Sequence, residues 1–410
     1  MEGAKYHERD YVMRDVEQHN MIRLILRGQT NSFGNIIYDY ANKLIIAGLG
    51  SQSNFFMSMY QISETMVGIL FNLFGGIIAD RKNRKKILII TDVLAAILTF
   101  LVYSQYRDAS INVWFLIIIN ALLAVLYSFN SPAYKAVVKD LLNRSNIYVY
   151  NSYSKGISEV ISVCTPFLGM MVISTFGFKY GMLINSFTFL ISAVIESKFV
   201  VINISERYSA QKESKVQSLK YGVKYITTNQ TLLIVLVASS LMNFFLAGYN
   251  FYLPFTNEMS HYSYMYAFIL ISESIGNICG AVFNNIWKKN LTVQQYSMFL
   301  LGVAIPCLII PVFTEWTFII LLLFALSSAA LTIFNIQMMS GIQANVSEKY
   351  IGRVFGVVFT IAVLFMPLGT IVFSLINIKS WAVFLIIGIG EIAIFTFMQF
   401  SLRLNNRRKS

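Results

Sequence analysis

Four carboxylates interrupt long apolar runs of this chain: Asp39, Glu64, Glu159 and Glu273. An acid in such surroundings is costly to keep charged and usually faces a cavity or a partner. Burial favours the protonated form and a nearby cation the ionised form. Asp39 and Glu64 are therefore suited to take up and release protons, whereas Glu159 follows Lys155 by one helical turn and is placed to neutralise it. Asp39 shares a helical face with Asn31, Asn35, Tyr38 and Asn42, a polar stripe about three turns long. Glu273 shares a face with Asn277, Gly280 and Asn284, which reads equally well as a helix-packing surface. Asn243 and Asn250 share a face beside a group of aromatic residues and complete the set of side chains expected to meet a substrate. Glu391 reads as a structural acid. All seven polar candidates, Asn31, Asn35, Tyr38, Asn42, Asn243, Asn250 and Asn277, suit a cavity that binds a small molecule and cleaves nothing.

Hydrolytic chemistry finds no support. His7, His19 and His261 lie outside the apolar runs, no His-Glu-x-x-His occurs, and no phosphate-binding Gly-x-x-x-x-Gly-Lys-Ser/Thr loop is present. Cys164, Cys279 and Cys307 sit within apolar runs and lack metal or disulfide spacing. The expectation is a non-enzymatic protein with no cofactor and no metal.

The elements that must position these residues follow from composition. Over 410 residues the chain is 56% hydrophobic and 13% charged, with mean hydropathy +0.61, which places it among polytopic membrane proteins. A bilayer core about 30 Å thick takes roughly 20 apolar residues per helix, and twelve such runs are expected, at 30–48, 55–78, 87–106, 113–130, 150–173, 180–199, 231–253, 264–287, 294–313, 316–337, 354–377 and 381–402. With both termini on one side, 28 of the 32 Lys and Arg fall on that side, leaving Lys43, Arg107, Lys179 and Lys379 on the other. Cations are retained in cytoplasmic loops, so both termini are expected inside. The net charge of +12 then records topology and contact with anionic lipid, and gives no reason to expect nucleic acid.

The longest polar interruption divides the runs six and six. The expected organisation is a cytoplasmic amphipathic lead-in at 1–29, a six-helix bundle at 30–199, a linker with a surface helix at 200–230, a second six-helix bundle at 231–402 and a basic tail at 403–410. Residues 1–29 lack the plan of a signal peptide. Faint repetition links the halves: Gly76, Asp80, Arg84 and Lys85 after the second run match Gly280, Asn284, Lys288 and Lys289 in spacing, and Pro166 with Gly169 finds a counterpart in Pro367 and Gly369.

A dense basic loop, Gly75 to Lys86, separates the second and third runs. Its spacing, Gly76-x-x-x-Asp80-Arg81-x-x-Arg84-Lys85, resembles the loop signature of the major facilitator superfamily. Asn130-Ser131-Pro132-Ala133, Asn151-Ser152, Phe187 to Ala193 and Gly352-Arg353-Val354-Phe355-Gly356 resemble its bacterial branch that includes macrolide efflux proteins. The resemblance implies an all-α membrane protein of twelve transmembrane helices in two pseudo-symmetric bundles. It implies a monomeric transporter in the cytoplasmic membrane, exporting hydrophobic or amphipathic small molecules by proton antiport, with Asp80 closing an inner gate against the start of helix 11 near Gly352 and Arg353. Within the loop itself, Asn83 tolerates a left-handed turn conformation. Two departures weaken the antiporter reading: helix 5 keeps only Pro166 and Gly169 of the motif Gly-Pro-x-x-Gly-Gly, and the arginine often found in helix 4 of proton-coupled exporters has no match. An importer, a lipid or metabolite flippase and a non-transporting sensor are alternatives on the same fold.

Overall fold

The computed structural model describes the backbone at 2–81, 83–106, 111–202, 224–287, 291–345, 361, 363–376 and 379–407, and side chains there except at 2–14, 72–81, 144, 145, 148, 152, 342–345 and 406. The chain divides into two units, one comprising Met1–Gly48 and Ser63–Gln211, the other Leu49–Ile62 and Lys212–Ser410. In chain order the helices are α1 Glu2–Ala47, α2 Ser53–Arg81, α3 Arg84–Gln105, α4 Val113–Leu141, α5 Arg144–Phe176, α6 Phe178–Ser197, α7 Gln230–Tyr252, α8 Met265–Trp287, α9 Phe299–Ile309, α10 Thr317–Asn345, α11 Met366–Leu375 and α12 Ala382–Arg407, with short helical turns between some of them. Among the described residues nine helices are long and apolar enough to cross a membrane. The C-terminal half of α1 is not among them, because its asparagines, tyrosines, Asp39 and Lys43 dilute the apolar content.

Several helices begin where a short polar side chain can satisfy an orphan backbone N–H. Asn83, Asn112 and Asn229 accept from the N–H groups of Lys86, Trp114 and Leu232, and Thr292 forms a reciprocal capping box with Gln295. Asn83 is extended, at φ −67°, so the left-handed turn expected there is replaced by an N-cap. Gly177, at φ 84°, makes the sharp corner between α5 and α6, a backbone state that a Cβ disfavours. Helices also outrun the apolar stretches. α1 is continuous through the expected lead-in, and Glu17, Asn20, Leu24 and Arg27 on it are buried. The surface helix expected in the linker falls largely at 203–223, outside the described residues.

Packing repeats between the units. In the first, α1 packs on α5 and α6, and α3 on α4 and α6; in the second, α7 packs on α11 and α12, and α9 on α10 and α12. Adding six to each helix number turns one set into the other, the pattern that duplication of a six-helix unit produces. Close approach explains two small-residue positions. A Cβ at Gly34 of α1 would lie 2.0 Å from Thr188 Oγ1 and 2.6 Å from Asn185 Oδ1 of α6, and one at Gly276 of α8 would lie 2.1 Å from the Ala325 carbonyl oxygen of α10. Gly34→Val should therefore cost about 1–3 kcal/mol through overpacking and lower the midpoint of thermal unfolding in detergent. Gly156→Ala, whose Cβ meets open space within α5, should leave the midpoint at or above the wild-type value.

Candidate functional site

Helix α1 carries two groups of charge, both within the first unit. Toward its C-terminal end, Lys43 Nζ lies 2.6 Å from Asp39 Oδ2 one turn away, with Asp39 38% exposed and Lys43 18%. Glu64 of α2 interacts electrostatically with both. Asp39, Lys43 and Glu64 thus form one electrostatically linked group. Lys43, counted in the sequence among the four cations of the outer side, is part of the helix and of this group. The stripe beside Asp39 is mostly inside the unit: Asn31, Tyr38 and Asn42 are buried and Asn35 is half-buried. Tyr38 joins an apolar cluster with Val102, Leu116 and Met182.

Twelve residues earlier, about 18 Å along the helix, Arg27 centres a second group. Its Nε donates to Glu196 Oε1 of α6 at 2.6 Å, and its terminal nitrogen donates to Asp92 Oδ2 of α3 at 3.1 Å and to Asn130 Oδ1 of α4 at 2.8 Å. Asn130 Nδ2 donates in turn to Thr91 Oγ1 at 2.7 Å and Asp92 Oδ1 at 2.8 Å, and Asn31 Nδ2 donates to Asp92 Oδ2 at 3.2 Å. The guanidinium carbon stands 4.5 Å from the Tyr134 ring centroid, and the Tyr134 hydroxyl donates to the Leu24 carbonyl at 2.7 Å. Arg27, Asp92 and Glu196 are 4%, 2% and 0% exposed, so the charges rely on one another.

The same end of the unit holds the basic loop. Arg84 donates to Asp140 Oδ1 at 2.8 Å and to the Ala136 carbonyl at 3.2 Å, tying α3 to the end of α4. Lys85 Nζ donates to the Phe199 carbonyl at 2.9 Å, just beyond α6. Asn20 of α1 bonds the backbone of Leu141 and Val200, and Glu17 accepts from Asn143. Gly76, Asp80 and Arg81 belong to α2, but the side chains of Asp80 and Arg81, and both expected partners Gly352 and Arg353, lie outside the described residues.

The remaining candidates are dispersed. Lys155 Nζ sits 2.5 Å from Glu159 Oε1 on an exposed face of α5, which neutralises that acid. Pro166 stands inside α5, and a Cβ at Gly169 would make only ordinary contact with Ile37 and Tyr40 of α1. In the second unit Tyr249 donates to Glu273, Thr332 donates to Asn277 Oδ1 at 2.8 Å, and Gln337 donates to Asn284 Oδ1 at 2.7 Å. The Glu273 face of α8 is thus occupied by packing on α7 and α10. Asn243 Nδ2 donates to the Ser239 carbonyl within α7, and Asn250 is exposed, its carbonyl accepting from Gln61. Glu391 is fully buried in α12, with no donor to either carboxyl oxygen among the described residues. The three cysteines are free, and among the described residues no group of His, Cys, Asp and Glu could hold a metal ion.

These elements have counterparts among known proteins. The sequence profile of the Major Facilitator Superfamily matches residues 30–370. The chain belongs to this superfamily. Macrolide efflux protein A of Streptococcus pyogenes is 22% identical over 337 residues, spanning 77% of this chain and 81% of that protein. A putative bacilysin exporter, BacE, of Bacillus subtilis is 25% identical over 347 residues, spanning 80% and 83%. A solved structure of the nucleoside transporter NupG superposes with a TM-score of 0.75 at 14% identity, covering 94% of this chain and 99% of that one, a likeness of fold. As a superfamily member the chain is a multi-pass membrane transporter of small molecules, and not an enzyme.

Within this facilitator fold, Arg27, Asp92, Asp140 and Glu196 were not among the residues that sequence singled out. Arg27, Asp140 and Glu196 sit near the ends of apolar runs, where charge reads as loop. Asp92 is different: it stands in the run Ile-Leu-Ile-Ile-Thr-Asp-Val-Leu-Ala-Ala, a signal that was legible. Replacing Arg27 by Met removes the only cation that reaches both carboxylates in the hydrogen-bonded network described above. Such a loss typically costs about 3–5 kcal/mol. The expected outcome is a marked fall in the unfolding midpoint in detergent, partly recovered when Glu196→Gln is added.

Proposed function

We propose that this transporter is a secondary active exporter of hydrophobic or amphipathic small molecules, exchanging them for protons by alternating access. Export is supported by the names of the two sequence relatives, an efflux protein and a putative exporter. Coupling rests on one observation, the Asp39–Lys43–Glu64 group. In such a group one acid can take up a proton while the other stays paired with the lysine. An acid that alternates in this way can exchange charge compensation for a proton at each turn of a cycle. Glu159 and Glu273 are weaker candidates, because Lys155 and Tyr249 already engage them.

The polar residues on α1, with Asn243, Asn250 and Asn277, are the proposed substrate contacts, Asn250 being exposed and Asn35, Asn243 and Asn277 half-buried. Gly76, Asp80, Arg81, Arg84 and Lys85 are proposed as the gating loop, with Arg84 held by Asp140. The protein is proposed to act as a monomer in the cytoplasmic membrane with both termini inside, its basic end against lipid headgroups. Single cysteines at Lys198 and Lys379, in a background lacking Cys164, Cys279 and Cys307, test that orientation. In intact cells an impermeant thiol reagent should label position 379 and spare position 198; the reverse pattern inverts the topology.

The coupling test uses sealed vesicles. Asp39→Asn should abolish proton-driven accumulation of substrate against its gradient while downhill exchange persists. Equal loss of both modes would assign Asp39 to binding or structure, and undiminished uphill transport would remove it from the mechanism.

A further inference from the structure

We infer that Asp92 of α3 and Glu196 of α6 form a proton-binding site, one proton shared by the two carboxyls against the guanidinium of Arg27. The inference uses geometry inside the first unit alone and does not depend on the direction or substrate of transport.

The charge count comes first. Arg27 is the cation bonded to both acids, so with both ionised the buried group carries a net negative charge. Next comes the count of donors. Asp92 accepts from Arg27, Asn31 and Asn130. Glu196 accepts from Arg27 through Oε1 only, and its buried Oε2 has no donor among the described residues. Both carboxyls are held by the same guanidinium, so the two like charges act on each other in a buried place. A proton on the bare Glu196 oxygen turns an acceptor without a donor into a donor facing the neighbouring acid. It also removes the uncompensated charge that burial penalises.

The other polar groups around the pair do not offer that donor. From α1 come Arg27, already directed to Glu196, Asp92 and Asn130, and Asn31, whose buried Oδ1 is itself an acceptor without a donor. From α4 come Asn130, bonded to Thr91 and Asp92, and Tyr134, whose hydroxyl donates to the Leu24 carbonyl. From α5 comes Tyr150, which faces the Tyr134 hydroxyl at 2.9 Å. The proton therefore joins α3 to α6 at the point where Arg27 of α1 reaches both. Its loss sets two carboxylates in repulsion at the junction of three helices.

Infrared spectroscopy of the purified protein in lipid nanodiscs tests this directly. Wild type should show a carboxylic C=O stretching band, shifted by deuterium exchange, that weakens as pH is raised. Glu196→Gln should remove that component, and Asp92→Asn should remove the same one, since either leaves a single carboxylate against Arg27. Should one variant fail to fold, the other reports on the same proton. Glu391→Gln, altering the other fully buried carboxyl, should leave the component in place. Thermal unfolding gives a second readout. A folded state that binds a proton the unfolded chain releases loses stability as pH rises through the titration of the site. The wild-type midpoint should fall over that interval, and Glu196→Gln should flatten the fall. A carboxylic band unchanged in both variants would overturn the inference. So would stabilisation by sodium chloride but not choline chloride with no such band, which would make the ligand a metal cation. No transport is measured, so failure here leaves the exporter reading to be judged on its own test.

Discussion

The first unit depends on one guanidinium. Arg27 reaches α3, α4 and α6 from α1, and the planar fork of an arginine is what makes that span geometrically feasible. Ion pairs this deeply buried add little net stability over an apolar core of the same shape, yet removing one member is severe. Their effect is on register. Four helices that share apolar surfaces can slide and rotate against one another at small cost, whereas a bonded arginine permits one arrangement. The neighbouring contacts from Asn20, Arg23, Tyr134 and Arg84 to backbone carbonyls fix the same end of the bundle further.

The second unit meets the same packing pattern by different chemistry. Helix α7, the counterpart of α1, has no charged residue between Gln230 and Tyr252. Tyr249 instead packs its ring against Phe324 and Phe384, while Phe244 and Phe245 pack against Phe373. Edge-on and tilted aromatic contacts of this kind are directional too, and large rings exclude water from the interface. Duplication thus preserved which helices touch while the means of holding them diverged.

Much of this was legible in the sequence, and the reasons are physical. Apolar runs reveal helices crossing a membrane because a bilayer imposes length and composition together. The basic loop revealed the family, since Gly76, Asp80, Arg84 and Lys85 keep a spacing that hydropathy does not demand. The ends of helices were less legible: α1 and α4 run past their apolar stretches, carrying Arg27 and Asp140 on helix where charge suggested loop. Pairing was less legible still. Asp39 and Lys43 are neighbours at one helical turn and could be read locally, but Arg27 and Glu196 are 169 positions apart, and no periodicity connects them.

Placing both charged groups on α1 has a mechanical consequence for that helix. Each group holds two acids around one cation, and the two lie about 18 Å apart on a continuous rod. The group at Asp39 is partly accessible, so a proton proposed to bind there would reach it from water directly. The group at Arg27 is buried, so a proton proposed to bind there would have to pass through packed helices. Two such sites on one continuous helix would exchange protons on different timescales. Rocking of a bundle about its own packed end would then be felt as a change in protonation at Asp92 and Glu196, with the helix itself carrying the strain between the two.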